Sequence, residues 1–170
     1  DGADILAHVV GAQSIIFALE DNKPAAISAM RAALERRDER VDRQLVVIPT
    51  KYPSGGEKQL IEIITGQQVP AGGLPADLGI ICQSPATASA VADAVIRGLP
   101  LTQRLVTVTG RALGKPANFR ALLGTPVSYL LQQADHQTQA KTRLIHGGPM
   151  MGFELSSADA PIVKISNCIL

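Results

Sequence analysis

Tryptophan is absent from this 170-residue chain, and aromatic residues together make up only 3% of it. A core must therefore be packed from Ile, Leu, Val and Ala, and there are too few rings for the stacking platform that single-stranded nucleic acid needs. Charge of one sign is lacking too. Sixteen Lys and Arg face fifteen Asp and Glu, for a net charge of +1 with no block of like charge. That removes the electrostatic case for DNA, RNA or an acidic membrane surface. Cysteine is scarce: Cys82 and Cys168 are too few for a disulfide framework, and both sit in apolar runs. They are read as reduced and buried, as suits a cytosolic compartment. No stretch reaches the ~18 consecutive apolar residues of a membrane span, so no direct membrane insertion is expected. Asp1-Gly2-Ala3-Asp4 carries neither an initiator Met nor the basic region of a signal peptide. Ile165 to Leu170 ends in an apolar run. Both ends look cut, and a central fragment of a longer chain is expected.

Hydrophobic residues are nonetheless 46% of the chain, and their spacing alternates between two periods. Ile5, Leu6 and Val9 suggest the end of a helix. Ser14 to Leu19 is continuously apolar after its first residue, as buried parallel strands are. Asn22 is placed to cap the next helix and Pro24 fits its first turn, with Ile27, Met30 and Leu34 at helical spacing. The mixed charge run Glu35 to Arg43 reads as a solvated face or loop. Leu45 to Ile48 is a second strand, Pro49 to Gly56 a turn, and Glu57 to Ile64 a helix with Leu60, Ile61 and Ile64 on one side, stopped by Gly66. Leu78 to Cys82 reads as a third strand. Thr87 to Arg97 reads as a third helix, with Ala90, Val91, Ala94 and Val95 inward. Strand and helix in alternation imply a parallel sheet with right-handed crossovers.

The texture changes near Gly98-Leu99-Pro100. Leu105 to Thr109 alternates as a half-buried strand does. Thr125 and Pro126 open a short helix with Val127, Leu130 and Leu131 inward. Leu144 to His146 and Ile162 to Ile165 read as short strands flanking the turn-rich Gly147 to Gly152, where Met150 and Met151 read as packing filler. The expected fold is α/β: a partial Rossmann-like parallel-sheet domain over 1–99, then a small α+β domain over 100–170.

The turn after Ile48 is the best candidate for chemistry. Gly55 and Gly56 permit positive φ and close approach of a ligand to the backbone. They stand at a helix N-terminus, where free N–H groups and the helix dipole favour anions. Lys51 and Lys58 offer positive charge, Tyr52 a ring or hydroxyl, and Glu57 an acceptor for a ribose or a ring N–H. An ordinary βα turn, its glycines serving only the backbone, explains the same residues equally well. The turn is not a P-loop, and no dinucleotide fingerprint follows a strand. Gln83, Ser84 and Thr87 follow the third expected strand on the same carboxyl edge; Ser84 as a helix cap is the plainer alternative. His8, His136 and His146 lack the spacing of metal ligands. Two isolated cysteines cannot hold an iron–sulfur cluster. No Ser-His-Asp arrangement or nucleophile elbow is visible. No catalytic residue and no metal ligand is assigned.

Several segments together resemble one family. Ile16 to Pro24 is similar to the I-G-I-E-D-N-K-P segment of RnfC, the C-type member of the Rnf (or Rsx) ion-translocating electron-transport complex. Ile48 to Gly56, Gly66-Gln67-Gln68-Val69-Pro70, Gly124-Thr125-Pro126-Val127, Gly147 to Phe153 and Val163 to Cys168 continue the likeness in order. The resemblance implies kinship with the flavin-carrying, NADH-oxidising subunit of respiratory complex I. The Y-x-x-G-E-E-T motif at its FMN and NADH site looks like Tyr52 to Lys58, with Gly56 in place of the first Glu. By the same resemblance Tyr52, Gly55, Gly56 and Glu57 are expected flavin or nicotinamide neighbours; Lys51 joins the expected cofactor-binding residues for its positive charge beside them. Gln83, Ser84 and Thr87 resemble the family's Q-N-V-G-T segment. Leu105 to Ala134 resembles an SLBB β-grasp module. The family's G-G-A-G-F-P flavin loop is expected before residue 1, and its 4Fe-4S cluster cysteines after residue 170. The fragment alone is thus expected to be apo.

In the full-length subunit, the resemblance implies electron exchange between NADH and iron–sulfur clusters through FMN. The subunit would be peripheral on the cytoplasmic face of the bacterial inner membrane, held by the other Rnf-complex subunits. The rival expectation is a scaffold or subunit-docking module without cofactor. A free-standing NAD-dependent dehydrogenase is disfavoured by the missing fingerprint.

Overall fold

A computed structural model of the chain describes residues 1–36, 41–137 and 142–170. Chain contacts divide it into two compact units, Asp1–Gly98 and Leu99–Leu170.

The first unit opens with α1 (Gly2–Val10), closed by Gly11 in the left-handed region at φ 66°. β1 (Ser14–Glu20) then pairs in parallel with β2 (Asp42–Ile48), in register from Ser14 opposite Asp42 to Glu20 opposite Ile48. The two parallel strands need a crossover, and α2 (Pro24–Leu34) supplies it. Three further pieces follow: α3 (Glu57–Thr65), a 3₁₀ turn at Pro75–Leu78, and α4 (Pro85–Arg97). α1 packs on α4 so closely that a Cβ on Gly2 would overlap the Ala88 carbonyl.

Several expectations are corrected here. β2 begins at Asp42, three residues before its apolar run, because Arg43 is tied down. Arg43 is 11% exposed, and its Nε and Nη2 each lie 2.9 Å from Asp4 Oδ1. Burial pushes the Asp4 carboxyl up, but the Arg43 hydrogen bond and the N-terminal ammonium outweigh it, and the net shift is downward. Residues 37–40 of the charge run lie outside the described residues. Asn22 does not cap α2: the cap position is Lys23, without a side-chain hydrogen bond, and Asn22 Oδ1 accepts from Lys23 Nζ at 3.0 Å. Leu78 to Cys82 forms no ladder, and the described parallel sheet has two strands. Gly79 at φ 69° turns the chain out of the 3₁₀ turn, and Ile80 N–H is spent on the Pro75 carbonyl. On α4, Ala90 and Val91 are half-buried, but Ala94 is exposed and Val95 is 65% exposed.

The second unit is a five-stranded mixed sheet in the order β4-β3-β7-β5-β6. Its strands are β3 (Gln103–Val108), β4 (Ala117–Leu122), β5 (Ile145–His146), β6 (Phe153–Glu154) and β7 (Cys168–Ile169). The helix α5 (Val127–Gln133) contributes Val127 and Leu130 to a core that also holds Val106, Val108, Ala121, Ala134, Ile162 and Ile169. The alternation expected at Leu105 to Thr109 is present: Val106 and Val108 are fully buried, and Leu105 and Thr107 face out.

β4 is an addition to the expected elements; Ala117 to Leu122 has a weak apolar alternation and becomes a strand because β3 is there to pair with. The strand expected at Ile162–Ile165 is instead an irregular segment, and pairing moves on to β7. Ile162 is drawn into the core while its N–H reaches the Thr125 carbonyl at 2.7 Å. The α5 cap is Pro126 rather than Thr125. Met150 and Met151 are 66% and 65% exposed and fill no gap. Cys82 and Cys168 are free thiols, but each is only half-buried.

Candidate functional site

Two strand ends set up the site in the first unit. β1 delivers Asp21 and β2 delivers Pro49-Thr50, and the two chains are clasped side by side. Thr50 Oγ1 donates to Asp21 Oδ1 at 2.6 Å and Thr50 N–H donates to the same oxygen at 3.1 Å. Those bonds, the hydroxyl's first, pull the Asp21 carboxyl below its ordinary range. The chain leaving this clasp folds into a tight turn. Ser54 N–H donates to the Lys51 carbonyl at 2.6 Å and Gly56 N–H to that of Pro53 at 2.7 Å, and the Tyr52–Pro53 peptide is cis.

α3 starts directly from that turn. Gly56 is its cap residue, in extended conformation at φ −67° and ψ 136°, and no side chain caps the helix. Its first-turn N–H groups, the positive end of the helix dipole, therefore lack a side-chain acceptor. The expectation that Gly55 and Gly56 serve positive φ is corrected: neither adopts it. Space explains Gly56 instead. A Cβ on Gly56 would lie 2.5 Å from Gln59 Oε1 and 3.1 Å from the Pro53 carbonyl oxygen, so a side chain there would crowd the turn. A Cβ on Gly55 would meet nothing within 4 Å. Gly55 leaves a bare patch of exposed backbone beside the helix end.

Lys51 and Tyr52 line a shallow hollow of about 400 Å³ with Pro53, Ser54, Gln59 and Glu62. Tyr52 is 54% exposed. Glu57 is the first residue of α3 and is exposed. Lys58, by contrast, is turned away to the Gly73 carbonyl at 2.9 Å. Ser54 carries no signal of its own in the sequence. It is 6% exposed and its Oγ has no partner among the described residues. Its place in the turn is visible, but the burial of its hydroxyl follows from the way the turn folds under Gly55.

The second expected group lies where α4 begins. Cys82 precedes Gln83, and burial pushes its thiol pKa up, with the Glu57 carboxylate adding to the shift. Gln83 itself is exposed. Ser84 and Thr87 have a settled local role. Ser84 Oγ caps α4 by accepting the Thr87 N–H at 3.1 Å, and the two side-chain oxygens are 3.0 Å apart.

No helix among the described residues is long and apolar enough to cross a membrane. Comparison with known proteins matches residues 1–93 to the Nuo51 FMN-binding domain family and residues 105–154 to the SLBB domain family. The RnfC protein of the ion-translocating oxidoreductase complex from Cronobacter sakazakii is 51% identical over all 170 residues, and that from Pectobacterium carotovorum 52% identical over 169. The chain spans 22% of the length of each of these relatives. Among solved structures, a chain of an NAD+-reducing [NiFe]-hydrogenase in the H2-reduced state shares the fold. Its TM-score is 0.75 at 20% identity, over 99% of this chain and 35% of that one. A whole-length match at this identity, on a fold that pairs the FMN-binding and SLBB modules, places the chain in the RnfC family of ion-translocating oxidoreductase complexes.

Proposed function

We propose that the first unit is one wall of a flavin and nicotinamide site, and that the full-length subunit exchanges electrons between NADH and iron–sulfur clusters through FMN. The observation that carries this is the coincidence at one point of an uncapped helix N-terminus, the open backbone of Gly55 and the buried, unpartnered Ser54 hydroxyl. These features fit a group that brings anionic oxygens and a flat ring edge to the turn.

In this reading Lys51 supplies positive charge beside the α3 N-terminus, and Tyr52 lines the ring pocket. Gly55 and Gly56 let the ligand reach the backbone. Glu57 orients the nicotinamide side, with Gln83 as its neighbour. Ser84 and Thr87 hold the α4 end of the wall, with their bonds spent on the cap. When bound, FMN supplies the exchange of a hydride with NADH and the release of single electrons; the protein contributes position and electrostatics. The placement of the subunit on the cytoplasmic face of the inner membrane, held by the other subunits, belongs to the same proposal.

The test is FMN titration of the full-length subunit by flavin fluorescence, with Glu57→Gln and Gly55→Val beside the natural form. Gly55→Val is expected to weaken flavin binding at least roughly tenfold, since a side chain then occupies the approach. Glu57→Gln is expected to keep flavin but lose NADH-dependent reduction. It should also lower the Cys82 thiol pKa by removing the neighbouring charge, so that alkylation of Cys82 moves to lower pH. Flavin binding and reduction unchanged in both variants would remove Gly55 and Glu57 from the site, and no flavin binding by the natural form would transfer the reading to a docking module without cofactor.

A further inference from the structure

The second unit leaves one face of its sheet bare. Across β3 and β4, Gln103 lies opposite Leu122, Leu105 opposite Arg120, and Thr107 opposite Asn118. All six side chains are exposed, whereas the alternate positions Val106, Val108 and Ala121 are buried in the core. A half-covered antiparallel pair is normally polar on its water face. Here the diagonal neighbours Leu105 and Leu122 are each 62% exposed. Arg120 lies opposite Leu105 and two residues from Leu122 on β4, and makes no ion pair among the described residues.

β4 is also the edge of the sheet. Its outward backbone groups are available to another strand, and it carries no Pro or bulge to prevent pairing. The charge around it has one sign. From Gly98 to Ala134 the chain has Arg104, Arg111, Lys115 and Arg120 and no Asp or Glu; Arg120 stands on the exposed face, Arg111 and Lys115 in the hairpin turn, and Arg104 on the core-facing side. The next carboxylate, Asp135, lies against Gly114 at the base of the hairpin turn.

We infer that this face of the β3–β4 hairpin docks an extended, carboxylate-bearing segment of another subunit of the complex, which adds a strand to β4 and sets an acidic side chain on Arg120 beside Leu122. The chemistry is that of strand addition: backbone hydrogen bonds give affinity and the alternate side chains give specificity. Arg120 supplies a bidentate acceptor-seeking fork, and Leu105 and Leu122 supply the apolar contact that a free surface has no use for.

The test uses the full-length subunit in its assembled complex, with Leu122 replaced by the photo-reactive p-benzoylphenylalanine. After irradiation the cross-linked peptide is mapped by mass spectrometry. The expected product joins residue 122 to a segment of another subunit that contains Asp or Glu. Adding Arg120→Glu should lower its yield roughly tenfold, the loss of one close charge pair across an interface, while Arg120→Lys should retain most of it. A cross-link within the subunit's own chain, a cross-link to lipid, or no cross-link would each overturn the inference. Flavin content measured on the same samples reports separately on the first unit, so failure here leaves the flavin reading standing.

Discussion

At the scale of single residues, two side chains tie the ends of β1 and β2 together. Asp21 is exposed, yet its carboxyl is held down by two bonds from Thr50. A carboxylate whose folded pKa lies below its unfolded value contributes stability that is fully present above the unfolded pKa of about 3.9 and is lost as pH falls through the folded one. Thr50→Val is therefore expected to lower the denaturation midpoint at pH 7. The gap from the natural form should close as pH is lowered through and below about 4, where Asp21 is protonated in both. An equal gap at pH 7 and pH 3 would assign the loss to packing instead. Ser54 and Gly55 belong to the same scale. Their residue types could be read directly, but the burial of one and the openness of the other could not, because both depend on how Lys51 to Gly56 closes on itself.

At the scale of elements, the helices and the strands β1, β2, β3 and β5 were legible, and β4, β6 and β7 were not. α2, α3 and α4 carry apolar residues at a 3.6-residue period and stop at recognisable signals, such as Gly66 and Gly98 in left-handed conformation. Leu78 to Cys82 has the composition of a strand but no partner within the described chain, so no ladder forms. β4 has little strand signal and forms because β3 lies beside it. β-propensity is realised through neighbours, which a linear pattern does not show.

The α4 cap offers a prediction here. Ser84→Ala removes the acceptor for the Thr87 N–H and is expected to cost about 1 kcal/mol of stability, measured by chemical denaturation. Flavin affinity should be unchanged if Ser84 acts through the cap alone, and a parallel loss of affinity would place it in contact with the ligand.

At the scale of the whole molecule, one unit carries the turn proposed as a ligand wall and the other a sheet whose bare face holds Arg120 with Leu105 and Leu122. If FMN binds the native subunit and not the unfolded chain, saturating flavin stabilises it by mass action, about 2.7 kcal/mol at a hundred times Kd. The full-length subunit is therefore expected to melt at higher temperature with FMN, and Gly55→Val to cut the shift at the same flavin concentration by about half or more; an equal shift in the variant would remove Gly55 from the site. By itself the sequence determined the class of fold, the family and the turn from Lys51 to Glu57, because periodicity, glycine and proline act locally and ordered motifs persist along a chain. Only the tertiary structure decided that Gly55 is open, that the Ser54 hydroxyl is buried, and that Arg120 shares one exposed face with Leu105 and Leu122. Those are relations between residues distant in sequence, set by strand register and burial rather than by any local preference.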